Sequence, residues 1–309
     1  MADCGIVIVT YNSQAVIGEC LEAAMASGAD VVIIDNASED GTLAEIARSG
    51  ATGRGARLIA NPANWGFAAA VNQGFAAIEA PYVLLLNPDA VLQTGLEALR
   101  QACDQPGAAG AGGRLVDPEG RPQTGFMIRR LPTPAALSLE VLVLNRVFPG
   151  NRINRRYRGL DWDDSAPLEV EQPAGAFLMV RRTVWEELGG FDEGFYPLWF
   201  EDVDFCRRAI DRGYRLYYCP QAVAKHTGGH SISRLGLEMC RFYWYRSLLK
   251  YSARHFGPVA FRGVSLAVVT GSILRGVAES VLYRSLKPMA AYGKVLRLAG
   301  RCLLRGWAE

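Results

Sequence analysis

The sequence holds no Cys-x-x-Cys pair; its seven cysteines stand singly at 4, 20, 103, 206, 219, 240 and 302. That spacing excludes a zinc knuckle or a disulfide-stapled scaffold and points to a reducing compartment. The dinucleotide fingerprint Gly-x-Gly-x-x-Gly is missing, as is the phosphate-loop pattern Gly-x-x-x-x-Gly-Lys-[Ser/Thr], so neither NAD nor P-loop ATP chemistry is indicated. No charged and apolar leader precedes the first strand, so no signal peptide is expected. The apolar run Gly263–Leu274 is about twelve residues, short of the roughly twenty that span a bilayer. Acidic residues nearly vanish from 241–309, where Glu279 and Glu309 face twelve Lys and Arg, and from 129–158, where Glu140 faces seven Arg. Those two segments carry +10 and +6 of a net charge of +2, which leaves about −14 for the remainder. Basic segments on an acidic body call for an anionic surface. No nucleic-acid recognition motif is present, so the expected partner is a membrane and not nucleic acid.

At 309 residues, half of them apolar, the chain can bury one large core or two smaller ones. Its organising stretch is Tyr82-Val83-Leu84-Leu85-Leu86-Asn87-Pro88-Asp89. A continuous apolar run of this length reads as a strand buried on both faces of a parallel sheet. Pro88 has no N–H to donate, so the strand ends there and Asp89 lies just past its carboxyl end, where open α/β sheets bind ligands. A hard carboxylate at that edge suits a divalent cation carrying phosphate oxygens.

The chain before it alternates strand and helix. Gly5–Thr10 is followed by Tyr11-Asn12-Ser13 and a helix over Gln14–Ser27, with Ser13 as its cap and Gly28 as its terminator. Val31–Ile34 ends in Asp35, placed to accept a hydrogen bond from a base or ribose. Arg57–Ala60 leads through Asn61–Gly66 into a helix ending near Glu79; the Gly66–Phe67 turn offers N–H groups at a helix start as a phosphate cradle. Such alternation predicts βαβ units around a mostly parallel sheet. From Gly107 to Gln172 the periodicity weakens, although Leu137–Val147 reads as a short apolar helix with basic flanks, the pattern of an interfacial segment. Pro173–Val180 returns to strand and Thr183–Leu188 to helix. Then the aromatic run Phe195–Phe200, including Trp199 and Phe200, offers a face to a sugar ring and leads into Glu201 and Asp202 at the start of a helix that Gly213 ends. A strand near Arg215–Cys219 precedes His226-Thr227-Gly228-Gly229-His230-Ser231, and His226 is a candidate metal ligand.

These pieces, in order, make the chain resemble the family 2 inverting glycosyltransferases, in particular the bacterial rhamnosyltransferase-like branch. The matching stretches are Ile8–Ser13, Val32–Thr42, Asn64–Asn72, Leu86–Asp89, Gly175–Leu178, Phe200–Asp204 and His226–Ser231. The resemblance implies an α/β GT-A fold with a nucleotide half over about 1–115 and an acceptor half over 116–235, followed by a basic helical tail over 236–309. It implies a nucleoside-diphosphate sugar donor bound by Thr10, Tyr11, Asn12, Asp35, Asn64, Gly66, Phe67, Asn72, Asn87 and Gly175. Asn87-Pro88-Asp89 stands where the family has Asp-x-Asp, so the divalent metal, Mg2+ or Mn2+, rests on Asp89 with His226. Asp202, beside Glu201, is the implied base, with Trp199 and Phe200 on the acceptor side.

The expected activity is transfer of a sugar, best matched by rhamnose from dTDP-rhamnose, to a glycan or polyprenyl-linked acceptor of the cell envelope. The protein is expected in the cytoplasm, peripheral at the inner face of the plasma membrane. Two other readings compete. A sugar-nucleotide pyrophosphorylase needs a basic, glycine-rich loop after the first strand, where this chain has Thr10–Ser13. An inactive, membrane-docked sugar-nucleotide binding module would have no use for Asp89 and Asp202.

Overall fold

In the computed structural model, which describes residues 3–228 and 237–307, the N-terminal strands build half of a sheet. β1 (Cys4–Thr10), β2 (Asp30–Asp35), β3 (Arg57–Ala60) and β4 (Tyr82–Leu86) pair in parallel in the order β3-β2-β1-β4. Helices α1 (Ile17–Ala26), α2 (Thr42–Arg48) and α3 (Phe67–Ala77) connect them. The register sets Thr10 against Asp35 and Asp35 against Ala60, so the loops after three strands leave from one edge. Ser13 does not cap α1, which has no side-chain cap and begins at Ile17. Its hydroxyl is turned back to the Tyr11 carbonyl, and its own N–H donates to Thr42 Oγ1.

After β4 the sheet becomes mixed. β5 (Ala90–Thr94), α4 (Leu96–Cys103) and β6 (Ala108–Val116) follow, and later β10 (Phe177–Arg181), α8 (Arg182–Leu188), α9 (Glu201–Asp211) and β11 (Arg215–His226). β10 runs antiparallel to β4 on one side and β6 on the other, β11 runs parallel to β6, and β5 runs antiparallel along β11. The sheet is therefore mixed, parallel among β1–β4 and between β6 and β11 and antiparallel elsewhere, because an apolar run signals burial and not strand direction. β6 is glycine-rich where β10 crosses it. A Cβ on Gly113 would stand 2.2 Å from the Phe177 ring. A short ladder, β7 (Ile128–Arg129) with β9 (Gln172–Pro173), sits apart from this sheet, and β8 (Leu168–Val170) adds to β11.

The chain divides into two compact units, Met1–Leu131 with Trp162–Pro197 and Glu201–Arg234, and Pro132–Asp161 with Leu198–Phe200 and Leu235–Glu309. The sheet belongs to the first. The second is helical: α5 (Pro134–Val141), α6 (Leu144–Val147), α7 (Arg152–Tyr157), α10 (Leu237–His255), α11 (Pro258–Leu282) and α12 (Lys287–Arg305). The helix read over Leu137–Val147 is broken at Val143, whose φ of 67° is left-handed, and its first part begins earlier, at Pro134, under a Thr133 cap. α11 is 25 residues long, twice the apolar run read from the sequence. Two of its charges are absorbed within this unit, since Glu279 pairs with Arg241 at 2.9 Å and Arg275 donates to the Glu140 carbonyl at 3.0 Å. Length and mean hydropathy suit α11 to crossing a bilayer, yet 39% of its most apolar window is buried in the protein.

Candidate active site

The β5–β11 register decides one half of the site. It places His226 opposite Ala90, and the Thr227 N–H donates to the Asp89 carbonyl at 3.1 Å. The two side chains, separated by more than a hundred residues of sequence, thus meet with His226 Nε2 3.5 Å from Asp89 Oδ1, each more than nine-tenths buried. The other ring nitrogen, Nδ1, lies 2.9 Å from Gln123 Oε1, while Gln123 Nε2 donates to the His226 carbonyl at 2.7 Å. With its amide so oriented, Gln123 accepts from Nδ1–H and leaves Nε2 facing the carboxylate. Phe126 stacks on the imidazole at 5.5 Å and 5°. Burial pushes the Asp89 carboxyl up, but the His226 ring and backbone N–H groups, including that of Gly228, outweigh it and hold the group below the usual carboxylate range.

A carboxylate oxygen and an imidazole nitrogen turned toward one another hold either a shared proton or a cation between them, and the donor set fits a divalent ion. Among the described residues no third His, Cys, Asp or Glu joins them. Two protein ligands suit an ion that takes its remaining oxygens from substrate phosphates and water. His230 and Ser231 lie outside the described residues.

At the neighbouring strand ends the expected nucleotide residues gather. Thr10 Oγ1 and Ser38 Oγ donate to Asp35 Oδ1 at 2.8 and 2.6 Å, and the Ser38 N–H donates to Oδ2 at 3.0 Å. Asn12, at φ 53°, donates its N–H to Ser38 Oγ and accepts from the Glu39 N–H. Asp35 is thus 1% exposed and mainly holds the loop around it; only its Oδ2 has a lone pair to spare. Tyr11 is half-buried in the same loop.

The Gly66–Phe67 turn differs from its expectation. Gly66 N–H donates to Asn64 Oδ1 at 2.9 Å and Phe67 N–H to the Pro197 carbonyl at 2.7 Å, so neither is open to a phosphate. Gly66 itself is required, with φ 89° and Tyr196 2.8 Å from any Cβ. Asn36 holds this turn from beneath, donating to Asn64 Oδ1 and the Gly66 carbonyl and accepting from the Trp65 N–H. Asn72 spends its amide on the chain at 191–193, donating to the Phe191 carbonyl and Glu193 and accepting from the Phe191 N–H. Asn87 is half-buried, its N–H donating to the Ala176 carbonyl at 3.0 Å.

Asp202 forms the other half, in the first turn of α9, where the helix dipole favours an anion. Oδ2 accepts from the Gly175 N–H at 3.0 Å and Gln172 Nε2 at 3.1 Å, and Oδ1 from the Val203 N–H at 2.8 Å. Gly175 permits this approach, since a Cβ there would sit 3.1 Å from that of Asp202. Glu201 is different in kind: 6% exposed, with Oε2 buried and without a hydrogen-bond partner. Burial, then the charge of Asp202, pushes its carboxyl well above the usual range. Asp204, fully buried, pairs with Arg208 at 2.7 Å. Trp199 and Phe200, at φ 77° and 72°, belong to the helical unit. There Phe200 is 9% exposed and tilts against Trp244 and Tyr251 at 6.4 and 5.5 Å, so the sugar-stacking face expected of it is spent on packing. Trp199 is half-buried.

The family model described as Glycosyl transferase family 2 matches residues 5–168, more than half of the chain. The chain belongs to this family. It is 30% identical, over 254 residues covering 74% of its length and 77% of the relative's, to the N-acetylglucosaminyl-diphospho-decaprenol L-rhamnosyltransferase of Mycobacterium tuberculosis. It is 24% identical over 228 residues, 72% of its length and 67% of the relative's, to the low-salt glycan biosynthesis hexosyltransferase Agl10 of Haloferax volcanii. Among solved structures, mannosyltransferase PcManGT from Pyrobaculum calidifontis, in complex with GDP-Man and Mn2+, superposes with a TM-score of 0.53 at 15% identity, covering 99% of this chain and 88% of that one. The GT-A fold is thereby shown, and the chain is a glycosyltransferase.

The sequence reading of this glycosyltransferase missed Gln123, Gln172 and Asn36 as organisers. Amides carry no charge and sit in no periodic pattern, so only their partners reveal them.

Proposed function

We propose that this transferase moves a sugar, rhamnose from dTDP-rhamnose in the first instance, from a nucleoside diphosphate to a hydroxyl of a polyprenyl-linked or glycan acceptor, with inversion. Its likeness to a rhamnosyltransferase named for a diphospho-decaprenol acceptor supports the choice of substrates. In this reading Thr10, Tyr11, Asn12, Asp35, Asn64 and Asn87 shape the nucleotide-sugar pocket at the strand ends. Asp89 and His226 would hold Mg2+ or Mn2+, which when bound offsets charge on the leaving diphosphate.

Asp202 is the base. It takes the acceptor hydroxyl proton as the oxygen attacks the anomeric carbon and the bond from that carbon to the diphosphate oxygen breaks. A sugar hydroxyl is too weak an acid to ionise beforehand, so the base acts in the transition state, a contribution of about 10²–10⁴-fold. The observation that carries this reading is the contrast between neighbouring carboxyls: Asp202 is held by three donors, while Glu201 is buried without them. Family membership removes the pyrophosphorylase, and the enzyme assignment removes the inactive binding module. A panel of dTDP-, UDP- and GDP-sugars with Mn2+ and a polyprenyl-diphosphate acceptor, with NMR of the product anomer, tests the proposal. Release of nucleotide without transfer, or retained configuration, overturns it.

We further propose that the helical unit holds the enzyme on an anionic bilayer at the cytoplasmic face. α11 turns Val259, Leu266, Ile273, Val277 and Val281 outward, each at least 44% exposed, at the spacing of one helix face. Arg262, Arg284 and Lys287 are exposed near it. An apolar stripe with basic neighbours fits an anionic lipid surface. All seven cysteines are free, which supports the reducing side of the membrane.

A further inference from the structure

The strand β7 and the loop before it join the two halves of the site. Gln123 is anchored to the main sheet by its N–H donating to the Leu115 carbonyl at 2.9 Å, and its side chain grips both the ring and the carbonyl of His226. Three residues on, Phe126 lies flat on that ring. Arg129 stands over the Phe126 ring at 6.0 Å and donates through Nε to Gln172 Oε1 at 2.9 Å. Gln172 is directly opposite Arg129 in the β7–β9 ladder and is 1% exposed. With its oxygen taken by a guanidinium, its amide nitrogen must turn the other way, where it donates to the Pro173 carbonyl and to Asp202 Oδ2. The Ala174 N–H donates to the Met127 carbonyl at 2.9 Å, which fixes the chain just before Gly175, the second donor to Asp202.

We propose that the strip Gln123–Arg129 is a positioning element for both catalytic groups, fixing the Asp89–His226 pair through Gln123 and the Asp202 carboxylate through Arg129 and Gln172. The strip touches neither reacting atom. A side chain held on two sides cannot rotate away, and misplacing a catalytic group by about 1 Å costs on the order of a hundredfold in rate. Outer partners of metal-binding histidines are worth about 10–100-fold in metal affinity. The inference rests on Asp202 as the base and on Asp89 with His226 as the metal pair.

The charged and titratable groups around Asp202 are Glu201, the Asp204–Arg208 pair and Cys206 on its own helix, and Arg129 across Gln172. Gln172→Leu removes the amide donor and leaves these in place. A hydrogen bond to a carboxylate favours its charged form, so losing one moves the acid limb of the kcat profile to higher pH. We expect that shift together with a fall in kcat of about tenfold or more and an unchanged dissociation constant for the donor nucleotide. Gln172→Glu, close to isosteric and still able to accept from Arg129, moves the limb further in the same direction through like-charge repulsion. Gln123→Leu should weaken Mn2+ binding, measured by electron paramagnetic resonance on the full chain, by about 10–100-fold, with the acid limb unmoved. Thermal melts establish that each variant is folded. A wild-type acid limb in both Gln172 variants, or wild-type Mn2+ affinity in Gln123→Leu, overturns the shared role. Asp202→Asn in the same assay separates the two ideas: normal turnover there overturns the base itself, whatever the glutamine variants do.

Discussion

His226 Nε2 faces Asp89 Oδ1 at 3.5 Å, although 137 positions separate them, because one antiparallel register brings the end of β11 to the start of β5. The proposed metal pair is thus assembled at the meeting ends of two strands, and it depends on their pairing. We expect Asp89→Ala to abolish turnover and His226→Ala to raise the Mn2+ concentration for half-maximal rate at least about tenfold. Full activity of the wild type in excess EDTA would refute a metal role.

The carboxyls at 201 and 202 should separate cleanly. Asp202→Asn is expected to lower turnover at least about a hundredfold with donor affinity nearly unchanged. Glu201→Gln replaces a carboxyl whose ionisation burial disfavours by an amide of nearly the same shape, so its turnover should stay within about threefold of wild type. The reverse pattern in single-turnover rates would name Glu201 as the base.

Glu201 also makes a stability prediction. Burial and the adjacent Asp202 charge raise its folded value well above 4.5. The folded protein keeps a proton there that the unfolded chain releases, so stability falls as pH rises above about 4.5 and through the folded value. Glu201→Gln removes that slope. Its melting temperature should exceed wild type at pH 7–8, by about 2–4 °C for each kcal/mol relieved, and match it near pH 4. Equal melting temperatures at both pH values would show that Glu201 is ionised in the folded protein.

Gly175→Ala pushes a methyl group to within 3.1–3.2 Å of the Asp202 side chain. Either the N–H contact lengthens or the carboxylate shifts. We expect kcat to fall about tenfold or more with little change in donor binding, since the perturbation falls on the proposed base. A loss confined to donor affinity would place Gly175 on the nucleotide side instead.

Flotation with liposomes tests the membrane face. Basic residues near anionic lipid contribute about 1 kcal/mol each, and the exposed stripe of α11 adds apolar area. Binding should need anionic lipid, weaken with salt, and fall at least about tenfold in Leu266→Asp/Val277→Asp. Unchanged flotation with a smaller oligomer in that variant would mean that a second copy covers the stripe.

The βαβ half of the fold was legible because β1, β2 and β4 are continuous apolar runs and the helices α1 and α2 between them are closed by glycines with positive φ, Gly28 and Gly50. Asp89 and Asp202 were legible for a different reason, as carboxylates at element ends. What the sequence withheld was contact between distant parts. The outward Phe200 turned inward once α10 was there to receive it, and the Gly66–Phe67 donors found Asn64 and Pro197. The break at Val143 was equally invisible, since a β-branched residue gives no sign of a left-handed backbone.

β10 stands in the middle of the sheet, between β4 and β6, yet it lies after residue 168, where the family match stops. A chain ending there would display the facing edges of β4 and β6 with their N–H and C=O groups unpaired, an invitation to pair with another chain. During synthesis those edges wait for Phe177–Arg181 to emerge. The central strand is thus laid after both of its neighbours, and nascent chains should be prone to aggregate until it arrives.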